Sequence, residues 1–424
     1  MTVPSPRQQP HSLLTQNVSA RGSVRNWLAR IDSKVMGISA DSVQKVLAFA
    51  REAGVSAAKT GSNPVWRRRY RLWKDESDRS LGGDSVIKSV LTWAAVAVIG
   101  LGVLGAALYV RPDLSWERLY AQYANEESET LALADGAQVH LRDEGPRNAP
   151  VVVLLHGYAS SLQTWDAWAA ALSTQYRVIR FDFPGHGLTR ASPQADVSVP
   201  GLIDFTDRVL AARGIERFSL AGNSMGGHVA WRYALAHPEK VRALILVDAV
   251  GVPEAPAQMA RLASTRAMFA TPALRGALRY VENRGLMERA FKAMVGNDAL
   301  VSKAFLDRHL QLARGPGNRA LQLRIPAVQF YDAAEAQKLG EILRPTLILQ
   351  GEIDPLAPLA VARAFDRLIP SSELIVYKNV GHIPQEEIPQ QSARDAAAFL
   401  DYALAAPSAV IERELPPLPV QPPR

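Results

Sequence analysis

One serine of the chain lies in a pattern that favours a nucleophile. Gly222 and Gly226 flank Ser224 at two residues on either side, within the run Gly-Asn-Ser-Met-Gly-Gly. An apolar run precedes this motif and a segment of helical character follows it, which predicts a strand, a sharp turn and a helix. Small residues avoid a collision where a strand reverses into a helix, and such a turn exposes the serine hydroxyl.

A serine hydroxyl is a weak nucleophile unless a base accepts its proton and a carboxylate orients that base. Asp354 and His382 each follow a later predicted strand, so the predicted triad has the chain order Ser224, Asp354, His382. This order differs from those of chymotrypsin and subtilisin. Asp248, directly after another predicted strand, is the competing acid, and Glu352 is a weaker one.

Ester chemistry at this serine also needs two N–H donors for the developing oxyanion. The backbone N–H groups of Met225, next after the nucleophile, and of Tyr158, in the loop after an earlier strand, are the candidates. His156 and His186 are expected to brace loops, and His228 to pack inside its helix. No cofactor site is predicted. The chain has no Cys and no close histidine pair of the His-Glu-x-x-His type, so we expect no catalytic metal.

The elements that must position these residues alternate between strand and helix signals from about residue 131 to 404. The predicted strands are Val139–Arg142, Val151–Leu155, Val178–Phe181, Phe218–Ala221, Ala243–Val247, Thr346–Gln350 and Leu374–Tyr377. Most are apolar runs of the kind buried on both faces, which predicts an α/β fold with a mostly parallel, doubly wound sheet. The alternation stops from about Val252 to Gly340, where the sequence predicts a helical cap or lid over the site.

Composition and charge restrict the class of protein. The chain has 424 residues, of which 48% are hydrophobic and 21% charged, enough to form a sizeable core. Without Cys there is neither a disulfide framework nor a cysteine nucleophile. Residues 1–85 carry 14 Lys/Arg and 7 Asp/Glu, so the formal net charge of +7 lies in this basic arm and the remainder is neutral. A basic arm on a neutral body argues against a nucleic-acid-binding protein.

The run Val90–Val110 has 21 residues without a charge and is long enough for a single transmembrane helix. Trp93 and Tyr109 stand near its ends, where aromatic rings prefer to lie. A buried core helix and a cleaved signal peptide are the alternatives, both less favoured because of the length of the run. More positive charge precedes the span than follows it, so we expect the arm in the cytoplasm and the rest outside, in the periplasm of a bacterium.

The predicted organisation has seven parts. They are a basic arm at 1–85, the membrane span at 86–110, a juxtamembrane linker at 111–130, core at 131–251, the helical cap at 252–340, core at 341–405 and a Pro-rich tail at 406–424. Within the arm, the basic and aromatic segment Trp66–Lys74 suits contact with anionic lipid headgroups. The oligomeric state is left open.

From about Val151 to Leu404 the chain resembles the α/β-hydrolase superfamily. The motifs that carry the resemblance are His156-Gly157-Tyr158, Asp182 to Gly187, the serine elbow, Gly351 to Pro355 and Gly381-His382-Ile383-Pro384. Within the superfamily it is similar to membrane-anchored monoacylglycerol lipases and related bacterial lipases, which share a Ser-Met-Gly-Gly elbow and a preceding span. The resemblance implies the same triad and oxyanion donors.

The expected function is a membrane-anchored serine ester hydrolase acting on acylglycerols or other hydrophobic esters. A carbon–carbon bond hydrolase for ring-cleavage products is the nearest alternative, because that branch resembles this chain in its Gly-Asn-Ser-Met-Gly-Gly elbow. Those enzymes usually carry Trp after the histidine, where Ile383 stands here. An acyltransferase or haloperoxidase-like role uses the same residues, and a non-catalytic membrane scaffold is the alternative from another class.

Overall fold

A computed structural model of the chain describes residues 90–97, 105, 109–252, 280, 282–325 and 333–405. The chain divides into two compact units, residues 1–99 and 100–424. In the first unit, residues 90–97 form a helix whose apolar side chains are exposed. Among the described residues, no helix is long and apolar enough to cross a bilayer.

Several predictions from the sequence fall wholly or partly outside the described residues. Of the span Val90–Val110, only residues 90–97, 105, 109 and 110 are described. The basic arm with its segment Trp66–Lys74 and the Pro-rich tail from residue 406 also lie outside them.

The second unit contains a sheet with eight strands in the order β1-β2-β4-β3-β5-β6-β7-β8. The strands are β1 Ser128–Ala132, β2 Gln138–Glu144, β3 Val151–Leu155, β4 Arg177–Phe181, β5 Phe218–Asn223, β6 Val241–Val247, β7 Thr346–Gly351 and β8 Ser372–Tyr377. β2 pairs antiparallel with β1 and β4, and all other pairs are parallel. This confirms the mostly parallel sheet, and each of the seven predicted strands corresponds to one of β2 to β8.

The first strand was not predicted from the sequence. The segment expected as a linker at 111–130 contains a helix, α1 Trp116–Tyr123, and the beginning of β1. Ser115 caps this helix through its side-chain oxygen, which accepts the N–H of Arg118. β1 lies at the sheet edge and its side chains are half-buried or exposed, so no apolar run marks it.

Helices cover both faces of the sheet. The remaining helices are α2 Asp166–Leu172, α3 Val199–Ala212, α4 Met225–Ala236, α5 Arg284–Lys292, α6 Lys303–Ala313, α7 Asn318–Gln322, α8 Ala333–Gln337, α9 Leu359–Leu368, α10 Pro384–Glu387 and α11 Pro389–Ala405. On one face α3, α4 and α9 contribute to a core that includes Trp231 and Phe365. On the other face α2 and α11 meet, and Trp168 Nε1 donates to Ser392 Oγ at 2.9 Å.

The described part of the predicted cap is helical, as expected, and contains α5, α6, α7 and α8. Residues 253–279 and 326–332 lie outside the described part. α5 begins after Asn283, whose side chain accepts the N–H of Leu286 at 2.9 Å. α5 and α6 pack through Phe291 and Phe305, whose rings meet edge to face at 5.2 Å.

Candidate active site

The carboxyl ends of five parallel strands, β3, β5, β6, β7 and β8, lie along the same side of the sheet. In the strand register, Leu155 of β3 pairs with Gly222 of β5, and the next residue of β5 pairs with Val247 of β6. At the end of β7, Gly351 pairs with Tyr377 of β8. Ligand sites of open α/β sheets lie outside such strand ends. The loops after these strands therefore bring together residues that are far apart in sequence.

Ser224 occupies the predicted turn between β5 and α4. Its backbone has a positive φ, at φ 53° and ψ −115°, a strained conformation for a residue with a side chain. A Cβ on Gly222 would lie 2.3 Å from the carbonyl oxygen of Gly226, and a Cβ on Gly226 would lie 2.2 Å from that of Leu155. Both positions therefore require glycine. The order of β5, turn and α4 confirms the predicted strand, turn and helix.

The neighbour of this serine connects two loops. Asn223 Nδ2 donates to the carbonyl oxygens of Val247 at 3.2 Å and of His382 at 3.1 Å. The Ser224 backbone N–H also donates to Val247, at 3.0 Å. The end of β5 is thereby tied to the loop that carries His382. The Ser224 hydroxyl has no hydrogen-bond partner among the described residues. Sequence reasoning gave Asn223 no role, although it stands inside the elbow motif.

Asp354 and His382 form the predicted pair. His382 Nδ1 lies 2.7 Å from Asp354 Oδ2, and both residues are buried. Asp354 Oδ1 accepts the backbone N–H groups of Leu356 at 2.7 Å and Ala357 at 3.1 Å. A carboxylate can only accept, so Nδ1 carries the proton and Nε2 is left as the basic nitrogen. This is the tautomer that a general base for serine requires.

Of the two competing acids, one belongs to the same cluster. Asp248, Asp354 and His382 each offer a ligand atom within 4.8 Å of the others. Such a group could in principle hold a cation, but the 2.7 Å contact of the His382 ring with Asp354 is explained by a hydrogen bond. Glu352 is exposed and accepts the N–H of Asn379 at 3.2 Å.

The two predicted oxyanion donors flank the serine. Met225 is the first residue of α4, so its N–H points out of the helix N-terminus. A Cβ on Gly157 would lie 3.3 Å from Ser224 Cβ, so the loop that carries Tyr158 runs directly against Ser224. Within the described part of the chain, neither the Met225 nor the Tyr158 N–H has an acceptor.

Two buried histidines hold the loop around Tyr158, as predicted. His156 Nε2 accepts the N–H of Phe183 at 3.0 Å, and His186 Nε2 accepts that of Ala159 at 3.1 Å. Burial lowers the pKa of both rings, that of His186 to about 3, so both are neutral acceptors at neutral pH. His228 is buried in its helix, also as predicted.

The cap contacts the histidine loop directly, which sequence reasoning did not anticipate. The backbone N–H of His382 donates to the carbonyl oxygen of Met294 in the cap at 2.8 Å. Arg308 of α6 pairs with Glu386 at 2.5 Å, and the same carboxylate accepts from Thr164 at 2.6 Å. The cap, the histidine loop and the segment before α2 therefore form one polar network.

Comparison with known proteins places the chain in a family. A family model for the α/β hydrolase fold matches residues 150–389, more than half of the chain. The protein belongs to the α/β hydrolase fold family and is a hydrolase of that superfamily.

Particular relatives have different reactions. The chain is 29% identical over 257 residues to a pimeloyl-[acyl-carrier protein] methyl ester esterase of Nitrosomonas europaea, with 60% of this chain and 96% of that protein covered. It is 28% identical over 271 residues to a 2-hydroxy-6-oxo-2,4-heptadienoate hydrolase of Pseudomonas putida, with 62% and 92% covered. A crystal structure of a bacterial membrane phospholipase A superposes with a TM-score of 0.57 at 25% identity, covering 75% of this chain and 99% of that one.

Proposed function

We propose that the protein is a membrane-anchored serine hydrolase that cleaves lipid or other hydrophobic carboxylic esters through an acyl-enzyme. The observation that carries the proposal is the strained Ser224 at the end of β5, beside the buried pair of Asp354 and His382. The free N–H groups of Tyr158 and Met225 add the donors that acyl transfer requires. Together they supply nucleophile, base, orienting carboxylate and oxyanion hole.

In the first half-reaction the Ser224 oxygen attacks the ester carbonyl carbon while its proton passes to His382 Nε2. The imidazolium formed is stabilised by Asp354 through the Nδ1–H bond of 2.7 Å. The carbonyl oxygen becomes an oxyanion and accepts from the N–H groups of Tyr158 and Met225. Each such donor contributes about 3 to 4 kcal/mol to the transition state. The tetrahedral species then expels the alcohol, which takes the proton from Nε2.

In the second half-reaction water releases the acid. His382 accepts a proton from water, the hydroxide attacks the acyl carbon, and the same two N–H groups stabilise the second oxyanion. Collapse of this species returns the proton to Ser224 and frees the carboxylic acid. His382 is then neutral again, with its proton on Nδ1. One water molecule is consumed for each ester cleaved.

The hydrophobic substrate class is supported by the surroundings of the base. Ile383, next to His382, packs in an apolar cluster with Phe291 and Phe305 of the cap. The exposed apolar side chains of residues 90–97 and the uncharged run Val90–Val110 support a membrane anchor. The similarity to a membrane phospholipase A agrees with both points.

The test is labelling of the purified full-length protein with a fluorophosphonate, beside Ser224→Ala, followed by hydrolysis of p-nitrophenyl esters of increasing chain length and of monoacylglycerols. We expect labelling and turnover to disappear together in the variant, and kcat/KM to rise with acyl length. Absence of labelling in the wild-type protein would contradict the proposal, and equal kcat/KM for all chain lengths would contradict the hydrophobic substrate class.

The anchor is tested separately by fractionating cells that produce the full chain. We expect the protein to remain in the membrane fraction after alkaline carbonate and to enter solution with detergent. Release by carbonate alone would contradict a transmembrane anchor and leave the hydrolase proposal intact.

A carbon–carbon bond hydrolase is the second candidate, favoured by the 28% identity to the heptadienoate hydrolase. It uses a base and an oxyanion hole of the same kind, so the triad geometry does not separate the two reactions. Turnover of a vinylogous diketo acid without turnover of any ester, in a protein that still labels at Ser224, would favour this candidate.

A further inference from the structure

Asp248 is a buried carboxyl group to which the mechanism above gives no task. It directly follows β6 and is fully buried, with its backbone in the left-handed region at φ 44°. Its Oδ1 accepts Gln350 Nε2–H at 2.8 Å and the Gly351 N–H at 2.9 Å. These two bonds fix the carboxyl group, because both donors belong to the end of β7. The remaining oxygen, Oδ2, is therefore held in one direction.

The Oδ2 atom has no conventional hydrogen-bond partner among the described residues. Among the described residues, Asp248 forms no ion pair with Lys or Arg. The neighbouring charge that most affects its pKa is that of Asp354. Asp354 and His382 each offer an atom within 4.8 Å of a carboxylate oxygen of Asp248. Among the described residues, Glu387 and the Tyr377 hydroxyl are further titratable groups that interact with Asp248.

Two neighbouring buried carboxyl groups cannot both carry a charge at low cost. Asp354 has stabilising donors for its charge, namely two backbone N–H groups and the His382 ring. Burial, followed by the negative charge of Asp354, raises the pKa of Asp248 well above its usual range. A proton on the unpartnered Oδ2 can be donated to Asp354 in a side-chain hydrogen bond. One proton then satisfies both groups.

We propose that Asp248 is a neutral carboxylic acid that donates its hydroxyl to Asp354, so that the two acids together present one negative charge to His382. Asp248 is thus a positioning residue, since it reaches the reaction only through Asp354. The donated bond draws charge from the Asp354 carboxylate and weakens its stabilisation of the imidazolium. The consequence for activity rests on the proposed function, whereas the protonation of Asp248 does not.

Infrared difference spectroscopy tests the protonation without an activity assay. At pH 7, the spectrum of wild-type protein minus that of Asp248→Asn should contain the C=O stretch of a neutral carboxylic acid. The matched control is Asp143→Asn, which removes a buried carboxylate paired with Arg177 and Arg213 and should remove no such band. Absence of the band from the Asp248→Asn difference would overturn the proposal.

The activity of two variants tests the positioning role. Asparagine keeps an acceptor for Gln350 and a donor for Asp354, so Asp248→Asn should retain kcat/KM within about ten-fold. Asp248→Ala lacks the donor, so the Asp354 carboxylate should make the His382 ring more basic. The acid limb of the pH profile of kcat/KM should then move to higher pH. A loss of about 10⁴-fold in Asp248→Asn would mean that Asp248 works as an anion and would overturn the proposal.

Unfolding in urea supplies a third readout, which remains available if Asp248→Ala does not fold. Because the acid is neutral when folded and ionises when unfolded, the contribution of Asp248 to wild-type stability should fall as pH rises above about 4. Asparagine does not titrate, so the midpoint of Asp248→Asn should rise relative to wild type between pH 4 and pH 7. A pH-independent difference would overturn the proposal. Failure of Ser224 to label would instead contradict the proposed function and leave the infrared and urea results standing.

Discussion

Replacing Asp354 by asparagine should disable the proposed base while leaving the fold intact. The Oδ1 atom accepts two backbone N–H groups, from Leu356 and Ala357, at 2.7 and 3.1 Å. In the isosteric amide the carbonyl oxygen must stay at this position, because an NH₂ group cannot accept them. The NH₂ group is then forced toward His382 Nδ1, 2.7 Å from the present carboxylate oxygen. The ring must accept there and carry its proton on Nε2.

An imidazole with its proton on Nε2 cannot take the proton of Ser224. The corresponding change in a serine protease triad lowers kcat about 10⁴-fold, so we expect a loss of that order. It corresponds to a rise of about 5.4 kcal/mol in the barrier, at about 1.36 kcal/mol for each factor of ten. The effect should fall on kcat, with KM changing little, because no group that contacts the ground-state ester is removed.

The assay is the steady-state hydrolysis of a p-nitrophenyl ester, with a thermal unfolding curve to establish that the variant is folded. The matched control is Glu352→Gln, the same acid-to-amide change two residues away on an exposed side chain. The control should retain kcat within two- to three-fold of wild type. A folded Asp354→Asn protein with kcat within ten-fold of wild type would refute the assignment of Asp354 as the orienting acid.

Two further changes probe the loops that surround the serine. A Cβ in Gly157→Ala would lie 3.3 Å from Ser224 Cβ, so we expect kcat to fall about 10- to 100-fold with little loss of stability. The control is Gly285→Ala, in which the atom nearest to the new Cβ would be 3.6 Å away. Equal kcat values for the two variants would contradict the predicted crowding of Ser224. Burial opposes ionisation of Asp182, but the hydrogen bond and charge of His140 outweigh it and lower the pKa of Asp182 to about 2. This stabilisation is fully present above about pH 4 and is lost as pH falls toward 2, so Asp182→Asn should cost about 2 kcal/mol of unfolding free energy at pH 7. Urea unfolding should show this gap closing between pH 4 and pH 2, and a constant gap would count against an ionised Asp182 in the folded protein.

The sheet was largely predictable because its central strands are buried on both faces. Val151–Leu155 was predicted with the bounds that the structure shows. In an α/β protein, a short run of apolar residues is typical of a strand that is buried on both faces. The edge strand β1 was missed because only one neighbour pairs with it and its side chains are half-buried or exposed. The local pattern of apolar residues therefore predicts strands that are buried in the core, but it does not predict the edge strand β1.

The elbow could be predicted because its geometry is set by short-range sterics. Gly222 and Gly226 stand close to Ser224 in sequence, and their lack of a Cβ is what permits the turn. Asp354 and His382 were predicted as acid and base from their places in the loops after two later strands. The sequence alone thus determined which side chains stand at the strand ends, because that depends on residues only a few positions away.

The tertiary structure determines which of those side chains contact one another and which of them are protonated. Asp248 and Asp354 both follow strands, and only the pairing of β6 with β7 brings them together around one histidine. The contact between Met294 of the cap and His382 joins positions that no local pattern relates. Burial, charge and hydrogen bonding at such contacts depend on atoms that are distant in sequence, and these atoms determine which carboxyl group carries the charge.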